Sequence, residues 1–527
     1  MLKKRLPLQK DPAMTKILFI ISSFLSVFAI LSPPHSCLCA EDQEILKVCD
    51  LADDSGLRMD PHLQFDERNQ VILNQIFEHL LEFDPDGSPT PNLAKSWTRL
   101  NDHTVQFKLH EGVFFHNGEY CDANAVKFSL QRNLNPLLKS PSFHMVESIS
   151  GVDVIDRHTF NIVTKYPDGI LLNRLSQFSH IVPPSYIQMV GASGFERKPI
   201  GTGPFQFSNW EKGKELVLVK NENYWQPGMP HLDGIVFRFG NAHQRVKMLL
   251  DGEVDMITDF EPVDIERIRR SGFKVIREPS FNMMSVNFNL LKPTSPFKDK
   301  RVRQAVNYAV DVDALIEKVR LGNGIRRATL GMPGEFGYNP YIKPYPYDPE
   351  KARQLLGEAG YPNGFEASIF IDDIDGGAES MFGKALKEQM AKVGISLTIE
   401  GGNGYLRIVK PKLDDSLPGF DLDMFARTCP DPMGHMIFIE GKVWYASEAP
   451  WSLMNEPPFD ALYSRIIRTL DLREQTRLCH HLEEMIHEEA YSLFTYQGIK
   501  LYAMKNDVEY TPYITGMLFF KEAKVIK

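Results

Sequence analysis

The chain has 527 residues, 43% hydrophobic and 24% charged, an ordinary globular composition rather than that of a disordered or low-complexity chain. At roughly 100–200 residues per domain, the length predicts about three domains. A formal net charge of −9 excludes a basic, phosphate-neutralising nucleic-acid binder, and six cysteines in so long a chain exclude a disulfide-framework miniprotein.

The N-terminus reads as an export signal. Lys3, Lys4, Arg5, Lys10 and Lys16 form a positive region ahead of an apolar run from Ile17 to Leu31. At about 15 residues that run is short for a membrane span, which needs roughly 20. Ser32, Pro33 and Pro34 break it, and small residues lead to Ala40 before Glu41 and Asp42. A signal peptide over residues 1–40 is therefore expected, with Met1 or Met14 as the start. A retained anchor, and a lipid on Cys37 or Cys39, are the competing readings. Removing 1–40 takes away five positive side chains and one aspartate, which moves the net charge from −9 to −13. Cys49, Cys121, Cys429 and Cys479 remain; such scattered cysteines are expected as buried thiols, and spacing assigns no pairing.

Strands are predicted at 45–50, 103–109, 152–155 and 159–163, with a helix over 71–83 and another after an Asp122 cap. Gly201-Thr202-Gly203-Pro204 opens a region of strands at 205–207, 216–219, 235–239, 254–257 and 285–290. Helices are predicted over 244–250 and 264–270. Apolar spacing predicts a single helix over 302–319. A Tyr- and Pro-rich loop over 338–349 precedes a helix to Leu356. The strands 367–371, 395–399 and 422–425 then alternate with a helix at 380–393, followed by helices at 459–470 and 474–490. Alternating strands and helices between about 200 and 400 are α/β grammar. Neither repeats nor Gly/Ser linkers occur, so domains are expected to share the chain discontinuously.

Signatures of catalysis are missing. The chain has no Walker-type loop, the Gly201-Thr202-Gly203 turn lacks the third dinucleotide glycine, and neither Gly-x-Ser-x-Gly nor His-Glu-x-x-His occurs. His480, Glu484 and His487 share one helix face and form a candidate surface metal site, although a solvated polar face is the stronger reading. Glu483-Glu484, Glu488-Glu489, Asp372-Asp373 and Asp414-Asp415 read as solvated charge. An exported α/β chain without a catalytic constellation leaves ligand capture as the leading class.

Several segments carry a resemblance. Leu93-Ala94-Lys95-Ser96-Trp97, Phe107-Lys108-Leu109 and the run from Gly112 to Gly118 resemble the signature of family 5 extracellular solute-binding proteins. These are the receptors of dipeptide, oligopeptide and nickel ABC importers. Pro199 to Phe205, Lys220 to Trp225, Gly252 to Asp255 and Arg301 to Ala305 match as well, so the likeness runs from about residue 45 to beyond 490. Most of these residues, Trp97 and the Gly-Thr-Gly-Pro turn included, read as packing and turn chemistry. The resemblance implies an α/β, two-lobed periplasmic-binding-protein fold of the large type II class, hinged between its lobes. Lobe I would comprise 41–86, 190–287 and 495–527, with an inserted domain at 87–189 packed on it, and lobe II would comprise 288–494.

The resemblance also locates the ligand chemistry between Asp421 and Ile439. Arg427 followed by Thr428, with Asp431-Pro432 beyond, is similar to the nickel-binding branch, whose arginine faces a carboxylate of the bound chelate. A guanidinium suits that role because its planar fork pairs a carboxylate bidentately; a framework salt bridge is the competing reading. Two glycine-and-methionine positions, Met433-Gly434, displace His435 from the nickel pattern, leaving it a weak metal candidate, and the loop from Glu440 to Pro458 contains no histidine. Asp431 is the candidate partner of a ligand ammonium, and Trp444, Tyr445 and Trp451 are candidate stacking surfaces. The implied function is a periplasmic receptor, without enzymatic activity or cofactor, that captures short peptides or peptide-like zwitterions for an inner-membrane ABC permease and acts as a monomer. A nickel or metal-chelate receptor is the alternative, and an exported hydrolase or chaperone-like protein a second one.

Overall fold

Two long strands organise the molecule: Lys274–Phe288, of 15 residues, and Ser492–Met504, of 13. They pair antiparallel along their lengths, with the register broken between Pro279 and Met283. In this computed structural model the described residues are 43–51, 53–64, 67–371, 378–403, 405–414, 416–428, 446–449 and 451–526. The expected signal peptide lies outside them.

The two strands form the centre of an eleven-stranded sheet and carry different neighbours at their two ends. At one end Ser492–Met504 pairs with Met256–Thr258, which is followed by Ile45–Leu51. Beyond lie Gly234–Phe239, Glu215–Lys220 and Phe205–Glu211. At the other end Lys274–Phe288 pairs with Leu422–Thr428, which is followed by Phe365–Ile371 and Ile395–Gly401. Short Gly324–Arg326 pairs with the free edge of Ser492–Met504.

Both ends contain parallel pairs, which need crossover helices. Ile45–Leu51 runs parallel to Gly234–Phe239 and to Met256–Thr258. The helix Ala242–Leu250 connects those two, and a capping box between Asn241 and Gln244 fixes its start. Phe365–Ile371 runs parallel to Ile395–Gly401 and Leu422–Thr428, with helix Ala378–Ala391 as a crossover. The inner parallel strands are covered on both faces, with Val48, Ile235, Met256, Ile369 and Leu422 fully buried, whereas the edge strand Ile395–Gly401 alternates, with Ile395 and Leu397 buried and Ser396 and Thr398 exposed.

A separate four-stranded antiparallel sheet, in the order Ala94–Asn101, Thr104–Leu109, Thr159–Thr164, Ile149–Val154, fills the stretch between Phe83 and Phe205. Helix Ala123–Asn133 covers it, and its Asp122 cap accepts from the backbone N–H groups of Asn124 and Ala125 as expected.

Two helices differ from expectation. The predicted helix over 302–319 is two helices, Lys300–Ala309 and Val312–Arg320. Val310 is extended and Asp311 caps the second helix through Ala314 N, so a cap signal interrupts an otherwise unbroken apolar stripe. The predicted helix over 71–83 is Glu67–Ile76 followed by the strand Leu81–Phe83. Near the end of that helix the Ile76 carbonyl accepts from Gly203 N at 2.9 Å. A Cβ on Gly201 would stand 2.0 Å from the same oxygen; the Gly-Thr-Gly turn is therefore a close backbone approach.

Candidate functional site

The directions of the parallel strands locate the site. Met256 is opposite Met504 and Thr258 is opposite Tyr502, so the carboxyl end of that strand points toward Gly498. Leu422 is opposite Phe288 and Thr428 is opposite Asn282, so this second carboxyl end points toward the same stretch of the long strands. Both parallel sets therefore present their carboxyl ends to one gap, spanned by the register break. Ligands of open α/β sheets bind in crevices outside strand carboxyl ends.

Arg427 is the penultimate residue of Leu422–Thr428, in register with Met283. Its main chain thus stands at the carboxyl end of its strand, beside the gap. Trp451 is half-buried and packs on a small apolar cluster of Phe370, Ile408, Phe420 and Leu453. Phe370 is itself one residue from the carboxyl end of Phe365–Ile371. Asp431, Trp444 and Tyr445, together with His435 and Cys429, lie outside the described residues.

The opposite side of the gap carries charges that sequence reasoning missed. Asp50, near the end of Ile45–Leu51, is buried and accepts from the Thr258 hydroxyl. Lys500 Nζ, from the second long strand, stands 3.9 Å from Asp50 Oδ1 and 3.3 Å from Asp259 Oδ2, and donates to the Gly516 carbonyl at 2.9 Å. Asp259 directly follows Met256–Thr258 and has φ +49°, a left-handed conformation that aspartate tolerates better than most side chains. An aspartate ending an apolar run was the only local signal. Lys500 is 450 residues from Asp50 in sequence, and nothing local predicts their meeting.

Beyond Ile45–Leu51 the chain ties to the four-stranded sheet through charge. Arg132 donates to both carboxylate oxygens of Asp60, at 3.0 and 2.5 Å, and to His62 Nδ1 at 2.8 Å. With Nδ1 an acceptor, the imidazole proton is assigned to Nε2, which donates to the His180 carbonyl at 2.9 Å. Burial first, and the Arg132 charge second, lower the His62 pKa to about 4. His79 packs its ring on His180, with centroids 3.9 Å apart, and burial lowers its pKa to about 3. Neutral, packed imidazoles are structural, and among the described residues no group of three His, Cys, Asp or Glu could hold a metal ion.

The His480, Glu484, His487 face is likewise not assembled for a metal. His480 Nε2 bonds to the Tyr338 carbonyl at 3.2 Å and His487 Nδ1 to the Ala328 carbonyl at 2.8 Å. Glu483 departs from its reading as solvated charge. It is fully buried, accepts from Asn339 N at 2.6 Å, and burial raises its pKa to about 8. Glu78 is also buried, receives the Tyr224 hydroxyl at 2.8 Å and Trp225 Nε1 at 3.1 Å, and burial raises its pKa to about 7. The aromatic pair of the Lys220 to Trp225 motif thus closes over a carboxyl group, in keeping with a packing role. Cys49, Cys121 and Cys479 are free and buried, as expected of scattered thiols.

Comparison with known proteins places this geometry. The family described as bacterial extracellular solute-binding proteins, family 5 Middle, matches residues 88–428. The glutathione-binding protein GsiB of Escherichia coli K12 is 28% identical over 460 residues, covering 82% of this chain and 85% of its own. GsiB of Pectobacterium atrosepticum is 31% identical over 349 residues, 65% and 66% of the two chains. The solved structure of periplasmic binding protein DppA from Helicobacter pylori, in complex with the peptide STSA, superposes with a TM-score of 0.78 at 25% identity, covering 92% of this chain and 98% of its own. NikZ from Campylobacter jejuni, in complex with Ni(L-His), superposes with a TM-score of 0.77 at 21% identity, covering 90% and 97%; at that identity the likeness speaks to the fold alone. The fold is the two-lobed α/β architecture that the sequence resemblance implied.

Proposed function

Because the chain belongs to family 5 of the bacterial extracellular solute-binding proteins, we propose that it captures short peptides or peptide-like zwitterions in the periplasm and delivers them to an inner-membrane ABC permease. In this reading the lobes are 41–86, 190–287 and 495–527 on one side and 288–494 on the other, with 87–189 inserted. The register break between Pro279 and Met283 is the natural hinge. No covalent chemistry takes place. The ligand shifts the open–closed equilibrium by binding the closed state more tightly.

The observation that carries the reading is the position of Arg427 at a strand carboxyl end beside the gap. A guanidinium there is suited to pair a ligand carboxylate, and Asp431 would pair the ammonium at the other end of a zwitterion. Trp444, Tyr445 and Trp451 would flank the ligand body. Glutathione, named for the GsiB relatives, is a tripeptide with both charges, and STSA, the peptide of the DppA structure, is a tetrapeptide with one charge at each end.

A metal-chelate ligand is the second reading, favoured by Arg427-Thr428 followed by Asp431-Pro432. Calorimetry with glutathione and a tetrapeptide pool, with and without chelator, separates the two. Binding that persists in chelator supports the peptide reading. Binding that appears only with nickel and histidine supports the chelate. Intact peptide recovered after incubation supports a receptor over a hydrolase, and cleaved peptide overturns it.

A further inference from the structure

A cavity of about 570 Å³ lies between the four-stranded sheet and the chain around Gly334–Phe336 and Leu470–Leu472. Its size falls within the roughly 300–1,000 Å³ of small-molecule sites. Among the described residues of the gap, Asp50, Asp259, Lys500 and Trp451 do not line it.

Trp97 and Arg99 are two residues apart on Ala94–Asn101 and so project from the same face of that strand. Trp97, Leu171, Phe336 and Leu470 contribute apolar wall, and among the described residues the charged lining is Asp86, Glu335 and Arg99. The Arg99 guanidinium is turned to the main chain, donating to the carbonyls of Asp102 at 3.4 Å and Asp168 at 3.3 Å. Glu335 is buried and accepts from Met332 N at 2.8 Å. Two carboxylates against one arginine leave the lining one negative charge in excess. Indole and phenyl faces attract cations through their quadrupoles, and a partly desolvated carboxylate attracts them more strongly than an exposed one.

We propose that this cavity is an accessory site for a small organic cation, an ammonium or quaternary ammonium group attached to a ring or short alkyl body. Trp97 and Phe336 face the body, and Asp86 and Glu335 face the charge. The site is independent of the peptide reading, because it shares no described residue with the gap beside Arg427.

Calorimetry on the purified protein with 2-phenylethylammonium tests it, with neutral 2-phenylethanol and anionic 3-phenylpropionate as controls. The expected result is saturable one-site binding of the cation, at least about tenfold tighter than the alcohol, and none of the anion. Asp86→Asn should weaken the cation several-fold. Leu472→Trp, at an exposed position on the lining, should abolish binding by filling the space while far-UV circular dichroism stays unchanged. Absence of saturable cation binding overturns the proposal. So does equal binding of the alcohol, or unchanged affinity in both variants. Competition by saturating glutathione also overturns it, since the cation would then occupy the gap beside Arg427.

Discussion

Replacement of Gly169 by alanine tests how the four-stranded sheet is joined to the turn between helices Pro457–Arg468 and Leu472–Glu489. Gly169 N donates to the Ile467 carbonyl at 2.8 Å. A Cβ at this position would stand 2.1 Å from the Thr469 carbonyl oxygen and 2.7 Å from Gln475 Nε2. Ordinary contact begins at 3.4 Å, so the junction must open by more than 1 Å. Stretched by that amount, the Gly169–Ile467 bond leaves hydrogen-bonding range. Asp168 cannot move to accommodate the change, because it is buried and holds Arg174 Nη1 at 2.8 Å and the Ser148 hydroxyl at 2.6 Å. A buried amide left without its acceptor costs about 1–3 kcal/mol, or roughly 5- to 150-fold in the equilibrium between joined and parted states. Urea denaturation should show that loss, and hydrogen exchange at residue 169 should accelerate. Gly151→Ala is the control: its Cβ meets nothing within 4 Å, and its stability should stay within about 0.5 kcal/mol of the parent. If Gly169→Ala matches Gly151→Ala, the junction is not a rigid contact and the reasoning fails.

Three further outcomes follow from charge and burial. Arg427→Ala should lower ligand affinity by about 30-fold or more, as loss of a buried charged partner does, with an unchanged thermal midpoint; equal affinity in calorimetry would make Arg427 a framework residue. His62, His79 and His116 have folded pKa values of about 4, 3 and 4 against 6.5 for the free side chain. The unfolded chain therefore takes up these protons first, and their contribution is complete above pH 6.5 and lost as pH falls toward 4. Triple His→Gln replacement should flatten that acid limb of the stability profile, and an unaltered limb would refute the assignment. Glu483 titrates in the opposite sense: raised from 4.5 to about 8, it contributes fully below pH 4.5, and that contribution is lost as pH rises from 4.5 to 8. Glu483→Gln, which keeps the donor and acceptor pattern of the protonated acid, should gain about 3 kcal/mol over the parent at pH 7 and converge with it near pH 4.5. Denaturation at the two pH values reads the difference.

Local signals were legible where one environment persists along an element. Asp122 announced its helix, the apolar run Ala367–Ile371 announced a strand with a buried carboxyl half, and Ile395–Ile399 announced a strand with one buried face. Lys274–Phe288 was read only from Ser285, because its exposed first half, Arg277-Glu278-Pro279, looks like a loop while its second half is buried. Ser492–Met504 went unread as a strand although it is buried almost throughout, and the expected lobe boundary at 494 falls inside it. Glu483 was misread because its neighbour Glu484 is exposed. Its spacing from Cys479 and Ile486, both buried on the same helix side, was the available signal. Arg427 was singled out by its motif, whereas Asp50, Asp259 and Lys500 meet through topology alone.

The strand Ser492–Met504 also dictates an order of events during synthesis. Ile45–Leu51 is among the first segments to leave the ribosome, yet its neighbour Met256–Thr258 has an unpaired edge until residues 502–504 arrive. Gln75 waits longer still, for the backbone of Leu518 and Phe520. The first-made half of the sheet cannot be completed until nearly the whole chain exists. Contacts of such long sequence separation slow folding, so the early strands stay unclosed until the segment that ends in Met504 has been made. A chain truncated before Ser492 would keep its early strands and never close the sheet around them.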